Sequence, residues 1–262
     1  MTKRIWLAAA SVLALLTTSG CGGGGDESGS ADRSAPASES ATAGGGASGE
    51  FGTASITGKV EYAGAAPQES AIKMDADPYC SLQHPSGVTT TNYVVGAGGG
   101  LKWAFVYVKE GLSGTYGQPA SAVVLDQKGC EYVPHVFGIM PGQELKILNS
   151  DETLHNIHSL PTESRQFNLA MPRAGMELKQ SFRAPEVMVR IKCDVHPWME
   201  CFAGVVSHPF HAVSGDDGSF KLDRLPAGTY TIEAWHEAGG MQTQTVTVGD
   251  GESTQITFSF QA

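Results

Sequence analysis

The sequence predicts an all-β protein that contains two β-sandwiches. Short β-type runs separated by turn residues dominate 55–262, and the chain has 33 glycines and 13 prolines, which is typical of sandwiches. In Val187–Cys193 every second residue is Val, Ile or Cys, so this run is predicted to be a strand with one buried face. Little of 55–262 has the periodicity of a helix.

The N-terminus has the pattern of a bacterial export signal. Lys3 and Arg4 precede an apolar run over 5–16, which is too short to span a membrane. Small residues lead into Cys21 and resemble a lipobox, so we expect 1–21 to be a lipoprotein signal peptide. Cys21 would then carry the lipid that anchors an exported protein to a membrane of the cell envelope. If the lipobox fails, the protein is exported and soluble.

Residues 22–54 are predicted to be a flexible tether. Within 22–50, 21 of the 29 residues are Gly, Ser or Ala, with no aromatic residue and no Val, Ile or Leu. Such a segment cannot bury enough apolar surface to fold.

Three side chains that suit copper lie within seven residues, Cys193 to Met199. A thiolate, an imidazole (His196) and a thioether at this spacing suit an ion that alternates between Cu(I) and Cu(II). A second imidazole is available from His155, which follows the predicted strand over 142–149 and a polar turn. Zinc is disfavoured because Met is a poor zinc ligand.

From about residue 121 to 207 the chain resembles a cupredoxin of the amicyanin, pseudoazurin and plastocyanin branch. The matching motifs are Met140–Gln143, Asn149–Asp151, His155–Asn156, Phe182–Pro185 and Cys193–Met199. The resemblance implies a Greek-key sandwich with one type 1 copper ion, and Asn156 as a hydrogen-bonding residue that joins the two ligand loops. The implied copper ligands are His155, Cys193, His196 and Met199.

The same resemblance implies a one-electron carrier with redox proteins as partners and no catalytic activity. His196 would be the exposed edge through which electrons pass, and Leu154, Pro197 and Trp198 would form an apolar docking rim. Two alternatives stay open: a copper storage, delivery or sensing protein, and a metal-free structural module.

Five cysteines have to be placed in an oxidising compartment. With Cys21 assigned to lipid and Cys193 to copper, a Cys80–Cys130 disulfide is predicted, since both lie in polar, loop-like stretches. Cys201 is expected to be a reduced, packed thiol. Pairing of Cys201 with Cys80 or with Cys130 remains an alternative.

The region after residue 207 resembles a carboxypeptidase regulatory-like domain, a small transthyretin-like sandwich. The resemblance rests on the Asp217–Gly218 turn and on the run Leu225–Tyr230. The opening strand of that family is matched much earlier, at Gly58–Tyr62. We therefore expect 55–119 and 208–262 to form one sandwich, with the cupredoxin region 120–207 inserted. The alternative is two domains in series, with 55–207 as an extended cupredoxin.

Charge and the remaining histidines limit the partners. The net charge of −10 excludes nucleic acid as a natural partner and favours a redox protein with a basic patch, although acidic surfaces also serve solubility alone.

His208 and His211 could meet His236 and Glu237 in a second metal site. His158 is expected to lie at the edge of the copper site.

Overall fold

A computed structural model describes residues 48–261. The signal peptide, Cys21 and the tether up to residue 47 lie outside the described residues. Nearly all regular structure in the described part is β, so the all-β prediction is confirmed. A short α-helix, α1 (Pro78–Gln83), and a 3₁₀ turn (Ala97–Gly99) accompany the strands. The strands are β1 (Ala54–Tyr62), β2 (Ala71–Ile72), β3 (Val88–Thr89), β4 (Phe105–Glu110), β5 (Val123–Gln127), β6 (Tyr132–Val133), β7 (Val136–Ile139), β8 (Leu145–Asn149), β9 (His155–Ser159), β10 (Asn168–Met171), β11 (Met176–Gln180), β12 (Glu186–Lys192), β13 (Glu200–Val205), β14 (His211–Val213), β15 (Ser219–Leu225), β16 (Gly228–His236), β17 (Gly240–Val248) and β18 (Ser253–Phe260).

The outer sandwich is built from strands at both ends of the described chain. Its two sheets have the orders β15-β1-β18 and β14-β4-β16-β17. β1 pairs in parallel with β18, from Ser55 opposite Ser253 to Tyr62 opposite Phe260. Thus β1 and β4, which precede residue 120, share their sheets with strands that follow residue 207.

The inner sandwich contains the strands of 123–205, in sheets of order β10-β9-β12-β13-β7 and β11-β8-β5-β6. Alternation buries Leu145 and Ile147 of β8, and Val189 and Ile191 of β12, in one apolar core. β9 and β12 are antiparallel neighbours. The start of β9 and the end of β12 therefore lie at the same pole, which is where the candidate ligands are.

A small apolar cluster joins the two sandwiches. Phe105 and Tyr107 of β4 pack with Val136 and Val206 from the inner region. A Cβ on Gly204 of β13 would lie 2.3 Å from the Phe105 ring, so the absence of a side chain at this position permits the close approach.

The cap, residues 71–89, comprises β2, α1 and β3. The sequence suggested a loop around Cys80, whereas the structure has a helix there. Asp77 is its N-cap residue and accepts a hydrogen bond from the Tyr79 N–H at 2.8 Å, and Pro78 occupies the first turn. Cys80 is disulfide-bonded to Cys130 in the loop between β5 and β6. This bond attaches the cap to the inner sandwich.

The end of the predicted tether is attached to the folded body. The backbone N–H groups of Ser48 and Gly49 both donate to the Thr115 carbonyl, at 2.9 and 2.7 Å. The Gly52 N–H donates to the Arg224 carbonyl at 2.9 Å. Ser48, Gly49 and Gly52, at the end of the predicted tether, thus have backbone hydrogen-bond partners in the folded body, and β1 begins at Ala54.

Within residues 48–261, no helix has both the length and the apolar character needed to cross a membrane.

Candidate metal centre

Three of the predicted ligands converge at the pole of the inner sandwich. His155 opens β9, Cys193 directly follows β12, and His196 lies in the loop that leads to β13. Nδ1 of His155 lies 2.9 Å from Nδ1 of His196, and Cys193 Sγ lies 4.0 Å from the latter atom. One potential ligand atom from each of the three lies within 4.8 Å of the others, and all three residues are buried.

Hydrogen bonds within the loop fix the spacing from Cys193 to Met199. The Cys193 N–H donates to the Met199 carbonyl at 3.0 Å, and the Met199 N–H donates to the His196 carbonyl at 2.9 Å. The His196 N–H points at Cys193 Sγ, 3.4 Å away. Met199 is buried. The loop thus holds three of the four predicted ligands in one compact turn.

The outer nitrogen of each imidazole faces a carboxylate. Nε2 of His155 lies 2.9 Å from Asp151 Oδ2, and Nε2 of His196 lies 2.9 Å from Asp77 Oδ2. An ionised carboxylate only accepts hydrogen bonds, so each Nε2 is the protonated nitrogen. Each neutral ring then has its lone pair on Nδ1, the tautomer that can bind a metal through that atom.

The facing Nδ1 atoms show that this donor set fits a cation. With both protons on Nε2, two lone pairs meet at 2.9 Å, and they repel unless a proton or a metal ion lies between them. The Cys193 sulfur beside them is a soft donor, and Met199, which carries a thioether, is buried in the same loop. Two imidazoles, a thiol and a thioether form the set that copper favours in both oxidation states.

Burial and hydrogen bonding adjust the ionisation of these groups. Burial lowers the pKa of His155, which favours the neutral imidazole that a metal requires. For Asp77, burial acts to raise the pKa, but hydrogen bonds from His196 and Thr153 outweigh it, and the net pKa is lowered. Asp77 therefore carries its negative charge next to the outer edge of His196.

Asp151 is held by the loop that contains Cys130. Its two oxygens accept the backbone N–H groups of Gly129 and Cys130, each at 2.7 Å. The Tyr79 hydroxyl of the cap donates to the same carboxylate at 3.3 Å. Cys80 Sγ, in the disulfide, lies 3.7 Å from Nε2 of His196. The cap and the disulfide thus close the pole of the sandwich above both imidazoles.

Asn156 joins the two ligand segments in the structure. Its Oδ1 accepts the Asp194 N–H at 2.7 Å and lies 3.3 Å from Cys193 Sγ. His158, on the same strand, lies at the rim, where its Nδ1 is 2.9 Å from Asp194 Oδ2. Strand β9 therefore contributes one predicted ligand, His155, and two residues that support the loop of Cys193.

The expectation that His196 forms an exposed edge is wrong. The side chain is only 2% exposed, because Asp77 and Cys80 cover its outer nitrogen. The other residues of the predicted docking rim do reach the surface: Pro197 and Leu154 are exposed and Trp198 is half-buried. The Trp198 ring lies 5.0 Å from the His196 ring, and its Nε1 donates to the Cys130 carbonyl at 3.1 Å.

The second metal site suggested by the sequence is not assembled. His208 Nε2 bonds to the Val108 carbonyl at 2.8 Å, His211 packs on Phe105, and His236 stacks on Tyr93. Among residues 48–261, no group of three potential metal ligands includes these histidines.

Cys201 is a free thiol buried in the inner core. Burial raises its pKa, so the reactive thiolate is disfavoured and the residue packs as a small apolar side chain.

Two acidic residues of the site were not identified from sequence. Asp151 lies four residues before His155 in the polar turn, a spacing that offered a weak signal. Asp77 is 119 residues from His196, and no local pattern connects them.

No family model and no curated protein matches the chain. Solved structures with cupredoxin domains align with about a third of it. A mutant of amicyanin in its Cu(I) form is 18% identical, with 32% of this chain and 82% of that chain covered and a TM-score of 0.29. The purple cupredoxin from Nitrosopumilus maritimus is 20% identical, with 32% and 98% covered and a TM-score of 0.28.

A copper-containing nitrite reductase from Thermus scotoductus SA-01 is 18% identical over 33% of this chain, with a TM-score of 0.29, and the match spans only 22% of that enzyme. At these TM-scores, the interpretation of the site depends on the geometry of the chain itself.

Proposed function

We propose that the protein is a one-electron carrier with a single type 1 copper ion. The observation that supports this most directly is the pair of Nδ1 atoms 2.9 Å apart beside the Cys193 sulfur, with both Nε2 atoms bonded to carboxylates. His155, Cys193 and His196 would be the principal residues that hold the ion, and Met199 would be a further, weaker ligand.

Copper held this way supplies a one-electron couple between Cu(I) and Cu(II). The chain itself keeps the ligands in place. Asp77 and Asp151 orient the two imidazoles, and Asn156 holds the start of the ligand loop. Carboxylates on the outer nitrogens also make imidazoles better ligands. A rigid, buried donor set limits the rearrangement that accompanies a change of charge.

Trp198 is the proposed connection between the surface and the site. His196 is covered, whereas Trp198 is half-buried and its ring lies 5.0 Å from that of His196. A redox partner that docks on Trp198, Pro197 and Leu154 would approach the ligand loop without displacing the cap. Transient redox complexes need only small interfaces.

We further propose that the protein works on the outside of a bacterial membrane, anchored through lipid on Cys21. The Cys80–Cys130 disulfide supports an oxidising compartment. Phase partitioning of the Cys21→Ser variant into detergent tests the lipid anchor, and retained partitioning would contradict it.

We also propose that a carboxypeptidase regulatory-like sandwich is interrupted by the cupredoxin. The supporting observation is that β1 and β4 pair with strands beyond residue 207.

The test of the copper site is an optical and EPR spectrum of the purified protein after Cu(II) is added and the excess removed. We expect an intense visible thiolate-to-copper band that is lost in Cys193→Ser. The matched control is Cys201→Ser, which removes the other free thiol and should keep the band. A colourless protein, or weak copper features unchanged by Cys193→Ser, would contradict the proposal and favour copper handling or a structural role.

A further inference from the structure

A cavity of about 360 Å³ lies beside the ligand loop and between different parts of the chain. Trp198 and Pro197 form one side of it, Tyr132 and His135 belong to the inner sandwich, and Trp103 precedes β4. Its volume is in the range of small-molecule sites. The half-buried residues Trp103 and Trp198 belong to its lining, whereas the Tyr132 side chain is buried in the inner core, where its hydroxyl donates to the Asn156 carbonyl at 2.6 Å.

The polar lining of this cavity is acidic. Glu131, Glu200 and Glu237 line it, while no Lys or Arg does so among the described residues. Glu200 is paired with Arg190, and Glu131 is exposed. The side chain of Glu237 is only 9% exposed, and its Oε1 lies 2.9 Å from His135 Nε2. Among the described residues, Glu131 and Glu237 thus offer carboxylate charge for which no lysine or arginine partner lines the cavity.

Two features of Trp103 also indicate a binding site. Its φ of 69° lies in the left-handed region that non-glycine residues rarely adopt. Such strained residues concentrate where a side chain is held for function. In addition, the Lys102 ammonium lies 4.4 Å from the centre of the Trp103 ring. The ring therefore already attracts a positive charge in the free protein.

We infer that this cavity binds a compact organic cation, an alkylammonium group that contacts the rings of Trp103 and Trp198 and is balanced by Glu131 and Glu237. Aromatic faces and carboxylates together are the chemistry that recognises ammonium ions. The group could come from a free small molecule or from a lysine side chain of a partner. The inference rests on the cavity alone and does not depend on copper.

A cation bound here would touch the segment that holds the proposed copper. Pro197, Trp198 and Met199 all line the cavity, and Trp198 contacts His196. The proposed cation site therefore adjoins the Cys193–Met199 loop of the proposed copper site.

The test uses choline, with 3,3-dimethyl-1-butanol as its uncharged analogue of the same shape, titrated into the metal-free and the copper-loaded protein. The indole N–H signals of Trp103 and Trp198 report binding by NMR, and Trp235, which does not line the cavity, serves as an internal reference. We expect saturable shifts of the first two signals with choline and none with the alcohol.

Substitutions locate the site. Glu131→Gln changes an exposed residue and should leave the fold intact, and it should weaken choline binding about fivefold by removal of one partner charge. Glu237→Gln should weaken it at least as much. Glu110→Gln, an exposed residue away from the cavity, is the matched control and should bind as the wild type does.

A second titration, with Nα-acetyl-lysine methylamide, distinguishes the two possible sources of the cation, because this compound keeps the charged lysine side chain. Tighter binding of choline indicates a free small molecule, and tighter binding of the lysine analogue indicates a partner side chain. Equal shifts with the uncharged alcohol, absence of any saturable shift, or unchanged affinity in both cavity variants would overturn the inference. Because metal-free protein is included, failure here is separate from failure of the copper proposal.

Discussion

Asp77 Oδ2 and His196 Nε2 lie 2.9 Å apart although 119 residues separate them in the chain. The contact places a carboxylate where a solvent-facing ring edge was expected. Asp77 is also the N-cap residue of α1, and Cys80 of this helix forms the disulfide with Cys130. One short helix therefore protects the site, supplies it with charge and is fastened covalently beside it.

Replacing Asp77 with Asn should raise the reduction potential of bound copper. Asn keeps the N-cap and a hydrogen-bond acceptor and removes only the negative charge, which stabilises Cu(II). A unit charge one imidazole away contributes on the order of 1–2 kcal/mol, so we expect a rise of about 40–90 mV for this one-electron couple. Spectroelectrochemical titration measures it. Asp75→Asn, an exposed neighbour, is the control, and equal potentials in both variants would contradict the role given to Asp77.

Removing the Cys80–Cys130 disulfide should destabilise the protein and open the site. The bond closes a loop over a sequence separation of 50, for which chain entropy predicts about 4 kcal/mol. In urea denaturation, the free energy of unfolding of the Cys80→Ala/Cys130→Ala variant should be about that much lower than that of the wild type. The variant should also release copper to a chelator faster than the wild type does. The control is Cys201→Ala, the free buried thiol. Copper release as slow as in the wild type would show that the cap does not depend on the disulfide.

The interface between the sandwiches should be sensitive to one added methyl group. A Cβ on Gly204 would lie 2.3 Å from the Phe105 ring, and overpacking of this kind costs about 1–3 kcal/mol. Gly204→Ala should therefore lower the denaturation midpoint. At Gly215 the nearest atom would be 3.6 Å from an added Cβ, so Gly215→Ala is the matched control. Equal midpoints for both variants would argue against tight packing at Gly204.

Because of His236, the free energy of unfolding should decrease in mild acid. Burial, together with the nearby His135, lowers its pKa to about 4 in the folded state, against about 6.5 for an unperturbed histidine. Between these values the unfolded chain binds a proton that the folded protein does not, so stability rises with pH across this interval, by up to about 3 kcal/mol.

Unfolding of the metal-free protein from pH 4 to 7 checks this behaviour. His236→Asn preserves an acceptor near the Gly239 N–H, which bonds to His236 Nδ1 at 3.2 Å. Its free energy of unfolding should depend less steeply on pH than that of the wild type. Parallel curves for the two proteins would assign the acid sensitivity to other groups.

The strands and the meeting of the ligands could be predicted from sequence because both follow from local rules. Alternation in Val187–Cys193 orients Cys193 towards the core, and antiparallel strands bring His155 to the same pole. The cover over His196 could not be predicted, because it depends on a distant helix and a disulfide. The expected exposure of that histidine follows only from the resemblance to cupredoxins, and that resemblance does not cover the cap.

The parallel pairing of β1 with β18 also has a consequence for the order of biosynthesis. Ala54–Tyr62 leaves the ribosome early, while its neighbours Ser219–Leu225 and Ser253–Phe260 come last. The strands of 123–205 have all their sheet partners within that interval. We therefore expect the inner sandwich to complete its sheets during synthesis, whereas the outer one waits for the final residues. Truncation near the C-terminus would leave the first strand without either neighbour in its sheet once β15 and β18 are lost.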